Sequence, residues 1–227
     1  MTTRPPHPHD SLSDLDLLAG WRAGDRAMGS TLYKRHAERI AGFFRRNLRD
    51  RSEVEDLIQD TFIALRTSAS TIENVGGFLI GIAFRKFTRY LRKLKGLPEL
   101  AEGEEDSLEH VAGEITPDPE YVRSQKEETR LLLRAIRRLK LIHQQVLELH
   151  LWEEKTGPEI AVILKVPEGT VRSRLKHGQA QLDAKVRELA ETDAAYRTTT
   201  TSIEVWRERL RRELEGAPPD EDPKPTK

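Results

Sequence analysis

The stretch TGPEIAVILKVPEGTVRSRLKHGQ, residues 156–179, constrains the fold more than any other part of the chain. Thr156 with Glu159 three residues on is a capping box, and Pro158 falls in the first turn, where a missing N–H costs nothing. Ile160, Ile163 and Leu164 form a short apolar stripe, which stops where Pro167 drives Val166 out of the helical region. A second helix follows at once. At about 100° per residue, Val171, Leu175, Gly178, Leu182 and Val186 share one narrow arc, while Arg172, Ser173, Arg174, Lys176 and His177 occupy the rest. One face packs and the other is basic, as a DNA-binding helix-turn-helix requires, with the first helix bracing and the second facing the major groove. The bland alternative is a helical hairpin with a solvated charged face.

Net charge does not choose between them, because 38 basic side chains balance 38 acidic ones. Their distribution is more informative. Between Gly81 and Lys95 there are six basic residues and no acidic ones, whereas between Gly96 and Val122 there are nine acidic residues and no Lys or Arg. Such segregation predicts distinct surfaces for distinct partners. The absence of cysteine excludes disulfides and thiolate metal sites and fits a reducing compartment. No apolar run is long enough to span a bilayer, and MTTRPPHPHD at the N-terminus lacks the apolar core of a signal peptide. The expectation is a soluble, cytoplasmic protein with no membrane insertion.

In chain order, residues 1–10 read as disordered. Ser11 or Ser13 caps a short helix carrying Leu15, Leu18 and Trp21, which breaks at Gly24; Asp25 caps a longer one that runs towards Leu48. Ser52 and Glu55 form a capping box for a helix with Val54, Leu57, Ile58, Phe62 and Leu65 on one side. Its other side holds Glu53, Glu55, Asp56, Gln59 and Asp60, either a solvated face or a docking surface for a basic partner. After a turn near residues 73–77, a helix from Phe78 to Lys95 has a wide apolar face and a basic arc of Arg85, Lys86, Arg89, Arg92, Lys93 and Lys95. Phe78 and Ile82 fall on the basic side. There they could wedge between unstacked bases while the cations track phosphates, or they could simply pack against a neighbouring helix. Residues 96–120 form an acidic linker. Pro119 and Glu120 start a helix carrying Leu131, Leu132, Ala135, Ile136 and Leu139, and another runs from about Ile142 to Trp152. Thr201 with Glu204 caps a last amphipathic helix in the C-terminal extension.

The expected fold is therefore all-α: a first helical domain over 11–95, the linker over 96–120, a second over 121–189, and an extension over 190–227. No phosphate-binding glycine loop and no His and carboxylate set at ligand spacing is found, so neither an enzyme nor a cofactor or metal is expected.

With the elements placed, the chain resembles a bacterial sigma factor of the extracytoplasmic-function (ECF) group in the sigma-70 family. The likeness rests on AGDRAMGSTLYKRHAERI at 23–40, VEDLIQDTF at 54–62, GFLIGIAFRKFTRYLRK at 77–93, LLLRAIRRLK and QQVLELHLWEE, and EIAVILKVPEGTVRSRLKHGQAQL at 159–182. GTVRSRL is its most specific piece. The resemblance implies a sigma region 2 bundle and a sigma region 4 helix-turn-helix. It implies docking on the clamp helices of the large RNA polymerase subunit through Glu55, Asp56, Leu57, Gln59 and Asp60. It places minus-10 opening on Phe78, Ile82, Arg85, Lys86, Arg89, Arg92 and Lys93, and minus-35 reading on Thr170, Arg172, Ser173, Arg174, Lys176 and His177. Promoter DNA is the second partner, and an anti-sigma factor is common in the group. The family often has Trp, Asn and Asp where this chain has Phe78, Arg85 and Arg89, which implies more backbone affinity and an altered minus-10 preference. Lys140 likewise stands where Pro is usual. The rivals are a helix-turn-helix regulator that works without polymerase, and a sigma-like scaffold that binds polymerase without opening DNA.

Overall fold

The computed structural model describes residue 9, residues 11–94, residue 96 and residues 117–190. Among these every regular element is a helix: α1 (Asp14–Arg22), α2 (Arg26–Asn47), α3 (Arg51–Thr67), α4 (Val75–Leu94), α5 (Pro119–Ser124), α6 (Glu127–Ile136), α7 (Leu141–Leu151), α8 (Gly157–Leu164) and α9 (Glu168–Leu189). They form two compact units, one holding α1 to α4 with residues 117–121, the other holding the described chain from Val122 through α9. The expected linker, apart from Gly96 and residues 117–120, lies outside the described residues, as do the helix expected at Thr201 and almost all of residues 1–10.

Local chemistry sets the boundaries in the first unit. Ser13 caps α1 by accepting from Asp16 N, and Asp25 caps α2 by accepting from Ala27 N and Met28 N. Between them Gly24 adopts φ 106°, which only glycine takes without strain. The cap of α3 is Asp50, not Ser52: its carboxylate accepts from Ser52 N at 2.9 Å and from the Ser52 hydroxyl at 2.8 Å. Those bonds hold the Asp50 carboxyl below its ordinary range. Helix α4 begins a turn earlier than Phe78, because Asn74 Oδ1 accepts from Gly77 N at 2.7 Å and caps it.

The core of this unit is aromatic. Phe43 of α2 lies 4.7 Å from Phe84 and 5.8 Å from Phe87 of α4, ring centre to ring centre, and 5.1 Å from its neighbour Phe44. Leu17, Leu32, Ile40, Leu65, Leu79 and Ile80 complete it. Helix α1 is tied to the end of α3 by Arg22, whose guanidinium donates to the carbonyls of Leu65, Arg66 and Ser68, orphan acceptors at a helix C-terminus.

The far end of the acidic segment is docked on this same unit. Asp118, 4% exposed, donates its N–H to Arg45 O, accepts from Arg51 Nε at 3.3 Å and caps α5 by accepting from Glu120 N at 2.8 Å. Glu120 also pairs with Arg51, and the two carboxylates, Glu120 first, raise the guanidinium's pKa.

The second unit has an aliphatic core. Helix α7 is buried on every side from Leu141 to Leu149. Two of its polar side chains pair with groups just before it: Arg137, at the end of α6, donates to Gln144 Oε1 at 2.7 Å and to Glu148 Oε2 at 3.3 Å, and Gln144 donates to Leu139 O. The single helix expected from Pro119 is two. Arg130 donates to Gln125 O at 2.7 Å and Arg123 O at 2.8 Å, so its guanidinium takes carbonyls that a continuing helix would use, and α6 starts afresh after Lys126.

Candidate polymerase and DNA interfaces

The outer side of α3 is the first candidate surface. Glu55, Asp56, Gln59 and Asp60 are exposed there and Leu57 is half-buried, while Val54, Ile58, Phe62 and Leu65 turn inward. Ile63 joins the outer side one turn beyond Gln59 and Asp60 and is 58% exposed. The apolar pattern gave one signal of it: Ile63 is the aliphatic residue of α3 that falls off the buried stripe.

Helix α4 supplies the second. Arg85, Arg89 and Lys93 are exposed and Lys86 is half-buried. Lys86 Nζ lies 3.0 Å from Asp60 Oδ2, so one cation of the basic edge is paired with one acid of α3. Two residues depart from the expected pattern. Ile82 is 5% exposed and does not stand among the cations as a wedge. The early start of α4 explains this: Val75 lies seven residues before Ile82 and four before Leu79, on one side of the helix, and all three are buried. Arg92 is buried too, at 7% exposure. Phe78 stays half-buried.

The third is the helix-turn-helix. Glu159 Oε2 accepts from Thr156 N at 2.9 Å and from the Thr156 hydroxyl at 3.0 Å, and these bonds, with the backbone one foremost, keep its carboxyl below the ordinary range. Helix α8 ends at Leu164 because Lys165 takes the left-handed conformation, φ 55° and ψ 40°. Pro167 then opens α9 by accepting from Thr170 N and Val171 N. Gly178 lets α7 approach closely, since a Cβ there would stand 3.3 Å from both His143 Cβ and Leu147 Cδ1.

Arg172, Ser173, Lys176 and His177 are exposed on α9 and Thr170 is half-buried. Arg172 leans on Glu168 at 2.9 Å, and His177 Nδ1 donates to Ser173 O at 2.9 Å. Arg174 departs from expectation. It is buried, on the stripe with Val171, Gly178 and Leu182 rather than on the open face. An arginine stem packs well on apolar neighbours. Thr170, Ser173, Arg174 and His177 line an open cavity of about 680 Å³ with Ile142, His143 and Gly169. His143 donates to Gln181 Oε1 at 3.0 Å, and burial pushes its pKa down.

Two family models match the chain. Residues 32–96 match Sigma-70 region 2, and residues 129–182 match Sigma-70, region 4. The chain belongs to the sigma-70 family. Within it the chain is an ECF sigma factor, which acts in promoter recognition and transcription initiation. It is 27% identical over 189 residues to an ECF RNA polymerase sigma-E factor of Haemophilus influenzae, spanning 79% of this chain and 98% of that protein. RNA polymerase sigma factor CarQ of Myxococcus xanthus is 27% identical over 172 residues, 74% of this chain and 95% of that protein. The solved structure of CnrH in complex with the cytosolic domain of CnrY has the same fold, with a TM-score of 0.54 at 20% identity, over 78% of this chain and 99% of CnrH. No helix among the described residues of this sigma factor is long and apolar enough to cross a membrane.

Proposed function

We propose that the protein docks on core RNA polymerase through the outer face of α3, opens the minus-10 element along the basic edge of α4, and reads the minus-35 element with the exposed face of α9. The observation that carries this reading is the pairing of charge with exposure. Four polar or acidic side chains, Glu55, Asp56, Gln59 and Asp60, stand in solvent on one helix, and Arg85, Arg89 and Lys93 on the next. The α3 face suits the clamp helices of the large subunit, and Ile63 adds an apolar contact beside the acids. On α9, Arg172 and Lys176 meet DNA, with Thr170, Ser173 and His177 beside them, while Arg174 supports the helix from within.

Such a protein changes no bond. Opening is favoured because an unstacked strand gains contacts that duplex cannot make, a case of binding the altered state more tightly. Unstacking costs a few kcal/mol per step, and stacking on a ring such as Phe78 returns about 1–3 kcal/mol per base, with phosphate contacts adding to it. The work is done in the cytoplasm. CnrH, which shares the fold, was solved in complex with the cytosolic domain of CnrY, and for this protein we infer a protein partner of the anti-sigma kind.

The test is transcription by purified core polymerase with and without the protein, on fragmented DNA from its source, with the 5′ ends of the transcripts sequenced. New start sites sharing two spaced elements are expected. Polymerase binding without new starts would make the protein a scaffold, and DNA binding without polymerase binding would make it a conventional regulator.

A further inference from the structure

On the first domain the two charged faces meet in one ion pair. Asp60, on the outer face of α3, accepts from Lys86 of α4 at 3.0 Å, with the lysine side chain 22% exposed and the aspartate 60%. A basic protein surface would draw on Asp60, and a phosphate would draw on Lys86. Each partner therefore requires a charge that the free protein has committed to the other. We propose that Asp60 and Lys86 are an exchange pair: polymerase that engages Asp60 releases Lys86 to a nucleic-acid strand, and a strand that engages Lys86 releases Asp60 to polymerase. This rests on the assignment of the two faces made above.

The pair can open without disturbing the scaffold. What joins α3 to the bundle is the apolar row Val54, Ile58, Phe62 and Leu65, and what joins α4 is Leu79, Ile80, Ala83 and Phe87, all buried. A lysine ammonium on a four-carbon stem swings to a new acceptor at little cost. Reciprocity then follows from linkage: whatever factor polymerase adds to strand affinity through this pair, the strand adds to polymerase affinity. Because the pair is partly exposed, the factor is modest, about two- to fivefold at low salt, and it shrinks as salt screens the charges.

The experiment uses the full-length protein in two titrations. In the first, labelled protein binds core polymerase without DNA, and Lys86→Gln should bind about two- to fivefold more tightly than the parent at low salt, with the gain closing at high salt. In the second, the free protein binds a labelled single-stranded oligonucleotide of mixed sequence, and Asp60→Asn should bind it more tightly by a similar factor. Unchanged or weaker binding by Lys86→Gln in the first titration overturns the proposal, as does unchanged oligonucleotide binding by Asp60→Asn. Failure of the underlying assignment looks different. If Asp60→Asn costs no polymerase affinity in the Lys86→Gln background, Asp60 is not a docking residue, and the face assignment fails together with the exchange. If that affinity falls as assigned but Lys86→Gln brings no gain, the exchange alone is wrong.

Discussion

Helices α4 and α9 are nearly equal in length, 20 and 22 residues, and both carry rows of cations, yet they divide their surfaces differently. Helix α4 buries residues on most of its circumference and leaves a narrow basic edge. Helix α9 buries one narrow stripe, Val171, Arg174, Gly178, Leu182 and Val186, and leaves the rest in solvent. A helix that is mostly wall can offer nucleic acid only a margin, suited to following one strand. A helix that is mostly free can enter a groove. Each also buries one arginine, Arg92 or Arg174, at 7% exposure. The border between packed and open surface is therefore drawn by neighbours, not by residue class.

The strongest way to separate the two domains is through their cores. Glu148→Ala leaves Arg137 buried without that carboxylate, and breaking such a pair costs about 3–5 kcal/mol. Calorimetry should show the helix-turn-helix domain losing its transition while the aromatic core of the first domain melts as before. Simultaneous loss of both transitions would mean the units are not independent.

The next contrast lies within α9. Arg172→Ala should leave the melting temperature unchanged and remove about 1–3 kcal/mol of discrimination against a scrambled minus-35 element. Arg174→Ala should act the other way, lowering the melting temperature first. Transcription from intact and scrambled promoters, with melting curves of both variants, decides this. Equal melting and equal loss of discrimination would return Arg174 to the reading face.

The smallest effect concerns pH. Burial lowers the pKa of His143 in the folded state, so the unfolded chain, with an ordinary value near about 6.5, takes up the proton first. Stability of the second domain is full above that value and declines as pH falls through the window below it. His143→Gln should flatten this part of a stability profile measured by denaturant titration, leaving the first domain's profile unaltered.

Much of this could be read in the sequence, where the cause was local. The cap at Asp25, the capping box at Thr156, the turn before Pro167 and the acidic side of α3 all follow from residues within a few positions of one another, and the structure decides for Ser13 over Ser11. What escaped was decided at a distance or by competition. Asp50 displaced Ser52 as the cap of α3 because a carboxylate is the stronger acceptor. Ile82 moved inward once Val75 extended its side of α4, and Arg130 broke a helix by reaching back to Gln125 and Arg123. The burial of Arg174 depends on what packs against α9, such as Ile142 and His143 of α7, which no helical wheel of α9 contains.

The docking of Asp118 gives the first domain an edge that no helix of its bundle supplies. Its carboxylate accepts from Arg51 and from Glu120 N, and its own N–H donates to the carbonyl of Arg45, so a residue 4% exposed fastens residues 117–120 to the end of α2 and the start of α3. One aspartate does at a point what a helix does along a stripe.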